Sequence, residues 1–404
     1  MVKSLKRLLV TLLTATGLCG AGVVAWGGGA VSASSSQPFT VLFPVAESGP
    51  LQGYGVAELN GMRAAVTLLN AHGGILGHEV KLVTFNDNSD PTTAVTLLDQ
   101  YLSSHPAPNL TWSGTESTDV SALIPIIAEH GLLSEGLTDV SSLFENAGKY
   151  PDMFMVSPNS IEQVQSLFAY AKSKGYKTLG LLSENDAFSE GQVPLYESQA
   201  SHYGLTVTEV TLPGTATTVT PELSKLQSDG VKALAVSAPG PSGAYVLAGR
   251  AKLGWNVPIL GDTTLLSDPL AQDLPRADLA GVVGLSTPNG VYRPISKLTS
   301  GNQELLKGLK AEKATITQGL DLYSLAWDGL MVVNHAARQA GSISEHALVA
   351  ALDHLKVAST HNYATYADYE YTTKDHENVG GTASKNYLMI KVGTFATGML
   401  KPLS

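Results

Sequence analysis

The chain has 404 residues, with 35 acidic against 25 basic side chains for a net charge of −10, and a single cysteine. That balance excludes a nucleic-acid partner, which needs a basic face to displace counterions from phosphate. One cysteine, Cys19, excludes an internal disulfide framework, so stability must come from hydrophobic cores, and a chain of this length has room for two.

Lys3, Lys6 and Arg7 precede an apolar run from Leu8 to Trp26 and a small-residue stretch from Gly27 to Ala33. This order predicts a signal peptide over residues 1–33, cleaved near Ala33, and an exported chain, periplasmic or extracellular. No charge falls between Arg7 and Glu47, so a retained anchor helix is the competing outcome. Lipidation at Cys19 is a third, disfavoured by the bulky Leu18 before it.

Beyond residue 38, short β-rich runs alternate with amphipathic stretches: Phe39 to Val45, Glu79 to Phe85, Tyr176 to Leu182, Leu205 to Leu212 and Val231 to Val236 are each followed by a helical pattern. This is the rhythm of parallel βαβ units. Asp90-Pro91 and Thr220-Pro221 each predict a capping side chain before a proline at the first helical position. Gly73-Gly74 and Gly204 predict helix stops in the left-handed conformation. From Gly319 to Ala340 a broad apolar face predicts a long core helix. After Leu355 the chain turns polar and tyrosine-rich, then β-like from Tyr387 to Val392. No Ser/Gly linker divides the two successive α/β runs. The expected architecture is therefore α/β, two Rossmann-like lobes with parallel sheets joined by hinge crossovers. The first lobe is assigned residues 39–157 and about 287–362, the second 158–286 and about 363–404.

The segment Glu47-Ser48-Gly49-Pro50, Tyr54-Gly55, Leu68 to Gly77 (LLNAHGGILG) and Asp87 to Pro91 (DNSDP) resembles the first βαβ unit of the type I periplasmic binding proteins of ABC importers, in particular the leucine/isoleucine/valine-binding branch. Each piece alone is turn chemistry; the ordered string is specific. Read without the resemblance, Pro50 and the glycines bring the loop after the first strand toward a cleft, where a parallel sheet presents ligands. Most of these glycines need only build the βαβ unit. Tyr54 is the one ligand contact taken from this stretch.

In Trp112 to Asp119 a strand end passes into a helix beginning near Ser117, whose free N–H groups and hydroxyl suit a carboxylate; capping alone would also explain Ser117. The resemblance implies that Ser117 holds a ligand carboxylate and that Thr138, beside Asp139, contacts the carboxylate and ammonium ends of an amino acid. Glu135-Gly136-Leu137 departs from the family sequence there. In the second lobe, the resemblance puts Phe188 where relatives have a tyrosine, covering the ligand's apolar part, and Pro239 where they often carry another. Asp262 follows a strand, where the resemblance implies an acid that pairs with the ligand ammonium, though a helix cap for the segment from Thr263 explains it equally. Tyr54, Trp112 and Phe188 near the cleft predict an apolar side-chain preference.

No G-x-S-x-G elbow, H-E-x-x-H, Walker loop or G-x-G-x-x-G opening a helix is present, so no enzyme is predicted. The histidines show no metal-ligand spacing, and Asp375-His376-Glu377 reads as a solvated loop. The resemblance implies a monomeric solute-binding protein that closes on a small molecule, an amino acid with an apolar side chain, and delivers it to an ABC permease, with no cofactor and no metal. The alternatives are a sensor or receptor component of the same fold, an importer protein for an aromatic acid, amide or urea-type ligand, and a hydrolase with an acidic pair in the cleft.

Overall fold

Apolar runs bounded by turn residues become strands, and capped amphipathic segments become the helices that cover them. The computed structural model describes residues 37–115, 117–136, 146–158, 160–214, 216–267, 269–357 and 363–403. The predicted signal segment, with Cys19, lies outside the described residues, as do Thr138 and Asp139. The first run is β1 (Phe39–Val45), α1 (Gln52–Ala71), β2 (Val80–Asn86), α2 (Pro91–Ser104), β3 (Leu110–Trp112), α3 (Ser117–His130), β4 (Ser134–Gly136) and β5 (Met153–Pro158). The second is α4 (Ser160–Ser173), β6 (Thr178–Glu184), α5 (Ala187–Ala200), β7 (Thr206–Leu212), α6 (Thr220–Ser228), β8 (Ala233–Ser237), α7 (Ser242–Lys252), β9 (Ile259–Gly261), α8 (Thr263–Ser267), α9 (Leu270–Asp273) and β10 (Val282–Ser286). The chain then returns through α10 (Ser300–Ala311), α11 (Leu320–Ala340), α12 (Glu345–Leu352), β11 (Lys356–Val357), β12 (Tyr369–Glu370) and β13 (Glu377–Asn378). It ends on α13 (Ala383–Asn386), β14 (Leu388–Lys391) and the hairpin β15 (Gly393–Ala396) and β16 (Met399–Pro402).

Two six-stranded sheets result, in the orders β13-β5-β4-β3-β1-β2 and β14-β10-β9-β8-β6-β7. All pairs are parallel except β10 with β14. β8 is buried along its whole length, as a strand covered on both faces must be. The two-lobed α/β architecture is thus the one expected, and the chain passes between lobes three times, after Pro158, after Ser286 and after Asn378.

Asp90 caps α2, its Oδ1 accepting from the N–H groups of Thr92 at 2.8 Å and Thr93 at 3.0 Å, a contact worth about 1 kcal/mol. The second predicted cap differs: Val219 is the capping position of α6, with no side-chain hydrogen bond, and Thr220 is already helical. α1 crosses α11 closely enough that a Cβ on Gly61 would approach the Tyr323 carbonyl oxygen within 1.9 Å; only glycine fits there.

The tail departs from the predicted lobe division. Residues 363–379, assigned to the second lobe by sequence, belong to the first: Tyr363, Tyr366, Tyr369 and Tyr371 lie in its core, and Glu377–Asn378 pairs with β5. The cause is Asp328 on α11, whose carboxylate accepts from the N–H groups of Ala364 and Thr365 and the Tyr369 hydroxyl, each at 2.7 Å. The solvated loop expected around His376 is likewise corrected. His376 is buried, its ring stacked on Phe154 with centroids 4.0 Å apart. Its Nδ1 is 2.9 Å from the Met153 carbonyl and its Nε2 2.8 Å from Asp353 Oδ1. No described helix is long and apolar enough to cross a membrane.

Candidate functional site

The loops at the carboxyl ends of both sheets line a cavity between them. From the first lobe, Tyr54 reaches it from the opening turn of α1, and Thr115 and Ser117 from the β3–α3 junction. Phe188, in the first turn of α5, and Pro239, after β8, face it from the second lobe. Thr263 and Thr264 of α8 add hydroxyls, and Leu322 and Leu325 of α11 an apolar wall. Its lining combines apolar side chains with hydroxyls, the composition of sites that hold a small organic molecule by a few placed polar groups.

The lobes touch across the rims. The Tyr54 hydroxyl donates to the Thr264 carbonyl at 3.3 Å and accepts from the Gly240 N–H at 3.3 Å. On another side, Thr118 Oγ1 accepts from the Ala187 N–H at 3.4 Å. Ser117 is buried at the start of α3, where the first N–H groups of a helix lack intrahelical acceptors. A ligand carboxylate placed there would meet the positive end of the helix.

Three of the residues predicted from sequence, Tyr54, Ser117 and Phe188, line this cavity together. Asp262 does not: the cavity wall at that turn is Thr263 and Thr264. Asp262 Oδ1 instead accepts from the Thr264 N–H at 3.0 Å and the Thr264 hydroxyl at 2.6 Å, the helix-cap arrangement. Desolvation pushes its carboxyl up to about 6, against the lowering effect of hydrogen bonds from Thr264 and Ser237. Trp112, expected near the cleft, is fully buried beneath it, its ring edge-on to Phe43 at 6.1 Å and its Nε1 donating to Glu58 at 3.0 Å. Glu135, part of the loop that departs from the family sequence, is also buried and accepts from the Tyr371 hydroxyl at 3.1 Å. Burial raises its carboxyl well above the ordinary range.

Sequence reasoning missed Asp321. It lies in the first turn of α11, lines the cavity, and its Oδ2 accepts from the Ser267 hydroxyl of the second lobe at 2.8 Å. Burial raises its carboxyl, countered by that hydroxyl and by backbone N–H groups of Asp321 and Leu322. In the sequence an acid in the opening turn of an apolar helix signals only dipole complementarity. Tyr366 and Tyr387, also in the lining, arrive on the returning tail. Among the described residues no group of three His, Cys, Asp or Glu side chains is arranged to hold a metal ion.

A family model described as periplasmic binding protein matches residues 38–384. Solved structures share the fold at low identity. The branched-chain amino acid transporter substrate-binding protein LivJ from Streptococcus pneumoniae, in complex with isoleucine, is 18% identical, with 90% of this chain and 98% of that one covered and a TM-score of 0.73. A fatty acid ABC transporter substrate-binding protein from Thermomonospora curvata is 16% identical, with 90% of each chain covered and a TM-score of 0.74. An ABC transporter solute-binding protein from Rhodopseudomonas palustris, in complex with 3,4-dihydroxybenzoic acid, is 16% identical, covering 85% of this chain and 91% of that one with a TM-score of 0.69. No curated protein sequence matches the chain significantly.

Proposed function

The chain belongs to the periplasmic binding protein family, and from that premise we propose that it is the extracytoplasmic solute-binding component of an ABC importer. It closes its lobes over one small molecule and hands it to a membrane permease. The observation that carries this reading is a cavity walled by both lobes and bridged at its rims by Tyr54–Thr264 and Thr118–Ala187. A ligand docked on one lobe gains its remaining contacts only as the other arrives, so binding favours the closed form.

The ligand in this reading is an amino acid with an apolar side chain. Ser117 and the α3 N-terminus receive the carboxylate, and Tyr54, Phe188, Leu322 and Leu325 enclose the side chain. The isoleucine complex of a protein with the same fold supports this choice. The fold itself is neutral, since similar proteins are described with a fatty acid or a dihydroxybenzoic acid. Catalysis has no part in it.

The test is a thermal-shift and calorimetric screen of the ligand-stripped protein against amino acids, benzoates, fatty acids and amides, with small-angle scattering before and after ligand. Saturable one-to-one binding with a smaller radius of gyration is expected. Steady turnover of an amide, or no binding across all four classes, sinks the reading.

A further inference from the structure

The cavity is electrically one-sided. Among the described residues that line it, Asp321 is the only ionisable acid, and no lysine, arginine or histidine accompanies it. The carboxylate is nine-tenths or more buried, and its hydrogen-bond donors are neutral: the Ser267 hydroxyl and the N–H groups of its own helical turn. A carboxylate withdrawn from water with only neutral donors is left short of a counter-charge. Asp262, the acid that sequence suggested for meeting a ligand cation, is instead engaged by Thr264 and lies behind the wall.

We propose that Asp321 is the specificity-determining residue for a ligand ammonium, restricting the cavity to amine-bearing ligands. The proposal rests on the reading of this cavity as the ligand site. It places the charged contact on the first lobe, beside the Leu322 and Leu325 wall, so the amine docks before the lobes meet. Ser267 then links the same carboxylate to the second lobe: its hydroxyl donates to Asp321 while its carbonyl accepts from the Gly319 N–H at 2.9 Å. The residue that recognises the cation is thus also one that the second lobe holds.

The experiment compares leucine, isoleucine and phenylalanine with their deaminated counterparts, 4-methylpentanoate, 3-methylpentanoate and 3-phenylpropanoate, by calorimetry on the ligand-stripped full chain. A charge-assisted contact predicts that at least one amino acid binds roughly 10- to 100-fold more tightly than its deaminated partner. Asp321→Asn should erase that ratio, weakening the amino acid while leaving the deaminated acid within about threefold. Asp262→Asn should leave the ratio intact. The proposal is overturned if the wild-type protein binds both members of each pair equally, or if Asp321→Asn weakens both alike. Binding of only the deaminated acids, or of a fatty acid or benzoate from the wider screen, overturns it while leaving the importer reading standing. The wild-type comparison requires no variant to fold.

Discussion

The hydroxyl of Tyr54, on the first lobe, lies 3.3 Å from the carbonyl of Thr264 on the second and 3.3 Å from the N–H of Gly240. One phenol thereby accepts from the turn after β8 and donates to α8 of the opposite lobe. Tyr54→Phe keeps the ring in the cavity wall and deletes both bonds. Each is a neutral contact worth about 1 kcal/mol at most at this length, so affinity should fall roughly 3- to 10-fold, with a faster dissociation rate in stopped-flow binding. An unchanged dissociation rate would show that this rim takes no part in closure.

Ser117→Ala removes a hydroxyl from the opening of α3 without altering the backbone N–H groups. Carboxylate-bearing ligands should weaken by roughly 10-fold, whereas the matching primary amides should change little. Competition calorimetry with an amino acid and its amide reads the difference.

Asp262→Ala tests the cap. Removing the two contacts to Thr264 should cost about 1 kcal/mol of stability, measured as a lowered urea midpoint. Any loss of affinity should be equal for an amino acid and its deaminated analogue, because the side chain stands behind the wall.

Asp328 makes stability depend on pH. Burial raises its carboxyl from 3.8 to about 6, despite hydrogen bonds from Tyr369, Ala364 and Thr365. Between those values the folded chain holds a proton that the unfolded chain has released, so raising the pH from about 4 to 6 removes stability and the loss is complete above the folded value. Asp328→Asn cannot titrate. The wild-type protein should therefore gain about 1–3 kcal/mol relative to the variant as pH falls from 6.5 to 4, seen in urea unfolding at the two pH values. A difference that is flat with pH would remove Asp328 from the account.

Gly61→Val probes the α1–α11 crossing. Its Cβ would meet the Tyr323 carbonyl at 1.9 Å, and forcing two helices apart costs about 1–3 kcal/mol or more. The melting temperature should drop clearly, while the fraction that remains folded binds ligand with wild-type affinity.

How much of this was legible beforehand depended on the range over which each residue is determined. β1 was read with its ends in place because a largely apolar, β-rich run between turn residues is a local signal, and the Asp90 cap needed only its neighbours. Ser117 was found because it follows a strand end, where this architecture opens its cleft, whereas Tyr54 and Phe188 came from the resemblance. Asp262 also follows a strand end, but whether such an acid turns toward the cleft or back to its own helix is decided by one rotation, which sequence does not encode. Asp321 and the Tyr363–Tyr371 segment were beyond reach for another reason. Their positions depend on the third run of the chain returning to partners such as Ser267 and Asp328, across separations of tens of residues.

The pairing of β13 with β5 has a consequence for biogenesis. The outer strand of the sheet that begins at Phe39 is supplied by Glu377–Asn378, so during synthesis the earliest-made sheet waits for residues made long after its other five strands. A nascent chain lacking them exposes Phe154 and Met155 at an unfinished edge. Folding is therefore governed by pairings distant in sequence, which are slow to form. The lobe made first is completed only after five of the six strands of the other sheet have been synthesised, and a chain truncated before residue 377 should accumulate as an aggregation-prone intermediate, not as a smaller folded protein.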